Sequence, residues 1–305
     1  MKRYWVFLSV LVLLPACQQQ PKQFQYHETI AGIEHSLWIS GVNEKTAQRA
    51  NDAVFSELRL LSKFTQPVSS KPMSRTNILL RSGEWFSVNP SMTGILKDSV
   101  KYYRLTDGLF NPAALGALRE EWGIYADPDI PTPPKEKDLQ ALLSDLPTMN
   151  DIQFDAIRMR GNNKHIRLDF DYLAYGYAID TEIQHLQDLG IQNARLQIDG
   201  VERVIGTLPG KNQAEGPATC ERSIPLVAGT HRPVEFNSIL NLENGRPVEH
   251  VSGIKVAADN ASDAAVACWA FLVSDASAWP KLARQLNVSS ASITDASGKT
   301  RVIGK

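Results

Sequence analysis

The sequence predicts an α+β fold in which helices pack on mostly antiparallel strands. Three observations lead to this prediction. Apolar residues recur every three or four positions in several long segments, as in helices that bury one face. In other segments apolar and polar residues alternate, as in strands. The two kinds of segment interleave along the chain, and no internal repeat is detectable.

The clearest helical pattern covers 43–64, where Ala47, Val54, Leu58 and Leu61 fall on one face. The same reasoning predicts four more helices, the last of them apolar nearly all round and therefore buried. They are 91–105, 137–143, 174–189 and 261–273.

Alternating residues predict the strands, and short turns join several of them. We predict strands at 151–158, 165–169, 195–199, 202–205, 223–227 and 251–256, with a turn at 161–163 and a C-terminal hairpin of 292–296 and 300–303. Two segments are predicted to be irregular because they are rich in proline or serine. These are 65–76 and 126–135, the second with four prolines.

Composition limits the possible classes of function. The chain has 32 Lys+Arg against 33 Asp+Glu, for a net charge of −1, and the basic residues are scattered. It therefore lacks the basic patch of a nucleic-acid-binding protein, and we expect no nucleic-acid partner.

Cys220 and Cys268 either form a disulfide in an oxidising compartment or remain two thiols, one of them buried.

The amino-terminal residues predict export. Lys2 and Arg3 precede an uncharged apolar run over 4–14, which is the outline of a signal peptide. The run is shorter than the roughly 20 residues that a membrane-spanning helix needs. The following Pro15-Ala16-Cys17 resembles the end of a bacterial lipobox, in which the cysteine is lipidated. An ordinary cleaved signal with a chance cysteine is the alternative.

These observations divide the chain into three parts. Residues 1–16 are the predicted signal peptide, 17–30 a lipidated Cys17 with a flexible tether, and 31–305 a folded domain. We therefore expect the domain to lie outside the cytoplasm, anchored by lipid to a bacterial membrane, on the periplasmic side of the outer or inner membrane. Gln18 resembles the outer-membrane sorting pattern.

Six short motifs follow one another at plausible spacing between residue 31 and the C-terminus. The motifs are Thr76-Asn77; T-D-G-L-F-N-P at 106–112 with Trp122-Gly123; A-Y-G-Y-A-I-D at 174–180; Asp199-Gly200; Asn244-Gly245-Arg246-Pro247; and Ser262-Asp263-Ala264. Taken together they resemble the ApbE-type FAD:protein FMN transferases, which are often secreted lipoproteins. Each motif alone is weak, whereas the six in order are fairly specific for the fold.

The resemblance implies a fold, a reaction and a set of site residues. The fold is the ApbE-like, T-fold-related form of the α+β class. In the reaction, a threonine hydroxyl of an exported redox protein attacks the FMN-side phosphorus of FAD and AMP leaves, with Mg²⁺ neutralising charge. By resemblance, the Ala174 carbonyl and the Asp263 carboxylate bind Mg²⁺. The implied flavin-nucleotide contacts are Tyr175, Gly176, Asp180, Gly200 and Gly245.

The chain departs from the family pattern at positions that carry chemistry. Tyr175 stands in the lysine position of its motif, Ser238 in that of the histidine base, and Ala267 in that of a second side-chain metal ligand. Since a positioned base typically contributes about 10² to 10⁴ in rate, these changes predict reduced or lost activity. His231 or His250 is an alternative base if the fold brings it into the cleft.

Three functions therefore remain open on the sequence alone. The first is an active transferase, and the second is a non-catalytic lipid-anchored protein that binds a flavin nucleotide or a partner protein. The third is an unrelated surface lipoprotein. The retained motif residues also have structural alternatives: Asp180 in local pairing, the three glycines in turns, and Asp263 at a helix amino terminus, where the helix dipole favours it.

Overall fold

The computed structural model describes residues 22–65, 71–126, 131–209, 215–224 and 239–304. Cys17, His231 and Ser238, which the sequence analysis singled out, lie outside these ranges. Within them, no helix combines the length and apolar character needed to cross a membrane.

An eight-stranded antiparallel sheet forms the centre of the fold, in the order β1-β2-β6-β7-β8-β9-β10-β11. A second sheet, in the order β3-β5-β4, is small and also antiparallel. The strands are β1 Gln23–Ile30, β2 Ile33–Ser40, β3 Phe86–Ser87, β4 Ile152–Asp155, β5 Arg158–Gly161, β6 Asn193–Ile198, β7 Val201–Ile205, β8 Ala218–Ser223, β9 Val251–Ala258, β10 Val288–Asp295 and β11 Thr300–Gly304. The predicted α+β class with mostly antiparallel strands is confirmed.

The helices pack on the sheets and on each other. They are α1 Glu44–Thr65, α2 Lys71–Ser82, α3 Thr93–Leu105, α4 Pro112–Glu121, α5 Glu136–Ser144, α6 Asp171–Asp188, α7 Ala261–Leu272 and α8 Trp279–Gln285. On the predicted face of α1, Ala47, Val54 and Leu58 are buried and Leu61 is half-buried. All 12 residues of α7 are buried, because the helix lies between α6 and strands β7 to β10. The apolar sequence of α7 is thus explained by burial on every side.

A disulfide joins the sheet to α7. Cys220 of β8 and Cys268 of α7 are bonded, and their Cα atoms are 6.3 Å apart. This result decides between the two alternatives that the sequence left open. It also fixes β8 against α7.

Several predicted boundaries were wrong. Helix α2 begins at Lys71, inside the predicted loop at 65–76. The tether predicted over 17–30 ends too late, because 23–30 forms β1, which pairs with β2 along its whole length. The β4–β5 turn falls at Ala156-Ile157 and not at 161–163, and 165–169 forms no strand. Strand β8 ends at Ser223, where a strand was predicted to begin.

We expect Gly176→Ala to destabilise the fold, because α6 and α7 cross there without room for a methyl group. A Cβ at Gly176 would lie 2.5 Å from the Ala261 carbonyl oxygen and 2.6 Å from the Ser262 Cα. Both are backbone atoms, so the helices would have to separate, at a net cost of about 1–3 kcal/mol in free energy of unfolding. Urea unfolding measures the loss. Gly304→Ala is the control, since a Cβ there meets nothing within 4 Å; equal stability of the two variants would contradict the close crossing.

Opening the disulfide should lower stability by about 4 kcal/mol, the loop-closure value for a separation of 48 residues. The measurement is thermal unfolding with and without reductant. The double variant Cys220→Ala/Cys268→Ala should unfold at the temperature of the reduced protein and should not respond to reductant. A wild-type protein insensitive to full reduction would show that the bond contributes nothing to stability.

Candidate functional site

Asp180 of α6 holds the amino end of α7. Its Oδ1 accepts a hydrogen bond from the Ala261 backbone N–H at 3.0 Å, and its Oδ2 accepts from the N–H and hydroxyl of Ser262, both at 2.8 Å. Arg203 of β7 donates to Oδ1 at 2.7 Å. A carboxylate here satisfies two of the N–H groups that a helix leaves unpaired at its amino terminus. The role shown by these contacts is a structural one.

Asp263, in the first turn of α7, is surrounded by hydrogen-bond donors. The Tyr102 hydroxyl donates to Oδ1 at 2.7 Å. The side-chain amides of Asn260 and Asn287 donate to Oδ2 at 2.8 and 3.0 Å. The Lys101 ammonium lies 4.0 Å from Oδ1, and the Asp263 side chain is only 1% exposed. Its negative charge is therefore compensated entirely by the protein.

The phenol of Tyr102 remains a donor throughout the ordinary pH range. Burial raises the pKa of Tyr102 well above its usual value, and the adjacent Asp263 carboxylate raises it further. Both effects disfavour the phenolate. The hydrogen bond to Asp263 is therefore present at any pH at which the carboxylate is ionised.

These contacts do not fit the predicted magnesium pair of Ala174 and Asp263. Mg²⁺ requires oxygen ligands with free lone pairs in an octahedral arrangement. Three N–H or O–H donors already take three of the roughly four lone-pair sites of the Asp263 carboxylate. Ala174 lies within α6, whose carbonyls accept the helix's own hydrogen bonds. Ala267 offers no side-chain oxygen. In the part of the chain that the structure describes, no cluster of three or more His, Cys, Asp or Glu residues is arranged to hold a metal ion.

An open cleft of about 390 Å³ lies beside these two aspartates, between α3, α6, β7 and the start of α7. Lys101 and Arg203 bring positive charge to its wall, and Asp98 and Asp180 bring negative charge. Burial raises the pKa of the Asp98 carboxyl, although Lys101 opposes that shift. The cleft is therefore polar and close to electrically balanced.

Tyr175 and Gly200 lie near an arginine that the sequence analysis did not single out. The Arg222 guanidinium of β8 stacks on the Tyr172 ring, 4.2 Å from its centroid, and lies 6.0 Å from the centroid of Tyr175. Its Nη1 pairs with Asp199 at 2.8 Å. Asp199 and Gly200, both at positive φ (44° and 77°), form the two-residue turn between β6 and β7. A Cβ at Gly200 would lie 2.4 Å from the Glu221 carbonyl oxygen, so glycine is required next to β8.

Gly245 belongs to a different part of the molecule. Its carbonyl accepts the indole N–H of Trp122 at 2.8 Å, and its N–H donates to the Asn241 carbonyl at 2.7 Å. A Cβ there would lie 2.5 Å from Leu139. These contacts join the segment around Gly245 to α4 and α5. The adjoining cavity, of about 370 Å³, is lined by 241, 244 and 246–250, including His250.

The structure thus brings Asp180, Gly176 and Asp263 together at the amino end of α7, and Tyr175 and Gly200 together around Arg222. Lys101, Tyr102 and Arg222 were not predicted from the sequence. No local signal marks them: Lys101 and Tyr102 lie in an ordinary amphipathic helix, and Arg222 occupies one position in a short strand. Their contacts with Asp263 and Tyr175, which are distant in the sequence, appear only in the folded chain.

With the geometry described, comparison with known proteins identifies the family. The ApbE family model matches residues 28–293, and the chain belongs to the ApbE family. A FAD:protein FMN transferase of Rhodobacter capsulatus is 25% identical over 302 residues, a match that covers 92% of this chain and 56% of that protein. A FAD:protein FMN transferase of Vibrio cholerae is 22% identical over 286 residues, covering 82% and 80% respectively. The chain thus spans about half the length of the first relative and most of the second.

Solved structures agree with the fold. The ApbE protein of Thermotoga maritima superposes with a TM-score of 0.76 at 18% identity, covering 92% of this chain and 96% of that one. The flavin transferase ApbE of Vibrio cholerae gives a TM-score of 0.75 at 17% identity, covering 93% and 97%. At this level of identity the likeness shows the fold alone.

We expect Mg²⁺ to leave the stability of the wild-type protein unchanged, because protein donors already surround Asp263. Tyr102→Phe should lower the free energy of unfolding by about 1–3 kcal/mol, since a buried carboxylate loses a hydrogen bond. Urea unfolding at several Mg²⁺ concentrations measures both effects. The neighbouring Tyr103→Phe is the matched control and should cost less. Stabilisation of the wild type by Mg²⁺ that disappears in Asp263→Asn would show instead that Asp263 is a metal ligand.

Proposed function

We propose that this chain is a lipid-anchored member of the FAD:protein FMN transferase lineage that binds a flavin nucleotide outside the cytoplasm and has reduced or lost transferase activity. The observation that carries this proposal is the set of three hydrogen bonds that protein groups donate to the Asp263 carboxylate. Family membership and the names of the two relatives support the lineage. The alternative within the proposal is a non-catalytic protein of the same fold that binds a flavin nucleotide or a partner protein.

The expected reaction shows what this chain would have to supply. An acceptor threonine oxygen forms a bond to the FMN-side phosphorus of FAD, the bond from that phosphorus to the bridging oxygen breaks, and AMP leaves with the electron pair. The threonine proton passes to a base. Phosphoryl transfer depends on positioning and on neutralising charge at the phosphate oxygens, and one such charge-stabilising contact typically contributes about 10² to 10³ in rate.

The chain offers little for charge neutralisation at the phosphates or for proton transfer to a base. The residues around Asp263 do not fit a metal ion, and Tyr175 brings no charge in the lysine position of its motif. Ser238, in the histidine position, has a hydroxyl that does not take up a proton near neutral pH. Such losses do not simply multiply when residues act as a unit. Taken together, the three losses nevertheless favour very slow FMN transfer over a fully active enzyme.

An active transferase is the second candidate, and one observation favours it. His250 lines the same cavity as Asn241 and Arg246, the segment that resembles the family's base-bearing motif. A histidine there has the right chemistry for a general base. If His250 is the general base, the substrates are FAD and an exported protein with an acceptor threonine.

The anchoring part of the proposal rests on the sequence of the first 17 residues. Lipidation of Cys17 would place the domain on the periplasmic side of the inner or outer membrane, where exported redox proteins are found. An oxidising compartment also suits the Cys220–Cys268 disulfide.

Incubation of the purified full chain with FAD, Mg²⁺ and a threonine-bearing acceptor domain tests the function. We expect saturable FAD binding, with AMP release and acceptor mass gain of one FMN at least about 10²-fold slower than for an active family member, because the base position lacks a histidine. Rapid transfer that His250→Gln abolishes would replace the proposal by its active alternative. Absence of FAD binding would leave only the shared fold.

The matched gain-of-function series is Tyr175→Lys, Ser238→His and Ala267→Thr, made singly and together. The triple variant should release AMP faster than the wild type, because it restores a cation, a base and a ligand oxygen at the motif positions. An unchanged rate in a folded triple variant would show that the motif register is wrong.

A further inference from the structure

We propose that Arg222 is the phosphate-binding residue of this chain, and that its guanidinium takes the phosphate oxygens of a flavin nucleotide beside Tyr175. The inference rests on the proposed function for the identity of the ligand. It rests on the structure for the chemistry of the site.

The first observation is that only one of the three guanidinium nitrogens is paired. Nη1 is paired with the Asp199 carboxylate at 2.8 Å. Nε and Nη2 are buried and have no hydrogen-bond partner within the described part of the chain. These two nitrogens are on the same side of the guanidinium and donate in parallel, which is the arrangement that binds two oxygens of one carboxylate or phosphate.

The second observation is that the fold holds this side chain in one place. The guanidinium stacks on Tyr172, and Asp199 fixes it from the turn between β6 and β7. The Gly200 turn allows β8 to approach closely, and the Cys220–Cys268 disulfide holds β8 against α7 two residues away. An arginine restrained in this way loses little conformational entropy when it binds an anion.

The third observation concerns charge. Burial lowers the pKa of Arg222, whereas Tyr172 and Asp199 raise it by more. The net shift of the pKa is upward, and the guanidinium is always a cation. The neighbouring Asp171 already has its own arginine, since Arg119 Nη2 lies 3.0 Å from its carboxylate. Asp171 therefore has a direct cationic partner other than Arg222, and no acceptor among the described residues takes the two remaining Arg222 donors.

The position suits a nucleotide. The half-buried Tyr175 lies next to the guanidinium, and its ring centroid is 6.4 Å from that of the buried Tyr172. Aromatic rings of this kind stack on flavin or adenine rings. Helix α6 begins at Asp171, so the positive end of its dipole lies at the same place and favours a negative ligand. The Arg222 guanidinium therefore lies close to the Tyr175 ring and to the amino terminus of α6. Tyr175 is the residue that stands in the lysine position of the family motif.

The test compares three flavins that differ in phosphate. Binding of FAD, FMN and riboflavin to the purified full chain is measured by flavin fluorescence for the wild type, Arg222→Met and Arg222→Lys. We expect Arg222→Met to weaken FAD and FMN by about 10- to 100-fold, the range for hydrogen bonds to a charged group. Riboflavin, which has no phosphate, should bind equally well to both. Arg222→Lys keeps the charge without the parallel donors and should lose less.

Two controls separate this effect from a general one. Lys255→Met removes a positive charge from β9, where Lys255 pairs with Glu221 of the adjacent strand, and should leave all three affinities unchanged. Near-ultraviolet circular dichroism checks that the variants fold. If Arg222→Met does not fold, Arg222→Lys carries the test, since it retains a cation opposite Asp199.

The outcomes distinguish this inference from the proposed function. Tight FAD binding that is equal in wild type and both Arg222 variants would overturn the role of Arg222 and leave the function standing. If no flavin binds, thermal unfolding is repeated with inorganic pyrophosphate. Stabilisation of the wild type but not of Arg222→Met would then keep the phosphate site and overturn the flavin function, whereas no stabilisation would overturn both.

Discussion

The carboxylate of Asp180 holds the amino end of the one helix on which the rest of the fold is built. Helix α7 is buried along its whole length, and protein groups accept its first N–H groups. Asp180 reaches from α6 to accept from Ala261 and Ser262, and Arg203 balances its charge from the sheet. Since α6, α7 and the sheet meet at this carboxylate, the positions of Gly176, Tyr175 and Asp263 all depend on it.

Charge is compensated locally around this centre. Asp263 has a phenol, two amides and a nearby ammonium, and Asp169 shares the buried Arg119 with Asp171. Carboxylates engaged in this way stabilise the fold and have few lone pairs left for a metal ion. Arg222 differs, because its pairing with Asp199 uses one nitrogen and leaves two buried donors. This contrast is the reason for proposing Arg222, and not a carboxylate, as the binding residue.

The motif residues show how chemistry and structure overlap in one sequence. Gly176 permits two helices to touch, Gly200 lets β8 approach a turn, and Gly245 packs against Leu139. Each has a structural reason that is independent of any ligand. The motif resemblance therefore recognised the fold correctly, but it could not separate residues that position a site from residues that would react in it.

Much of the fold was predictable because its signals are local. The spacing of apolar residues predicted α1, α3, α5 and α7, and alternation predicted β6, β7, β9 and the C-terminal hairpin. Strand β1 was missed because most of its residues are polar, although Phe24, Tyr26 and Ile30 alternate with polar residues. Pairing with β2 along its whole length stabilises it. Helix α2 was not predicted, because the serine and proline of 65–76 were taken as signs of a loop, although proline is well tolerated in a first helical turn.

The sequence by itself determined the class of fold, the family and the buried nature of α7, since periodicity and motif order are properties of the chain. Only the tertiary structure decided whether Cys220 and Cys268 bond, which donors surround Asp263, and that Arg222 lies beside Tyr175. The physical reason is distance along the chain: Tyr102 and Asp263 are 161 residues apart, and their hydrogen bond exists only after α3 and α7 have packed.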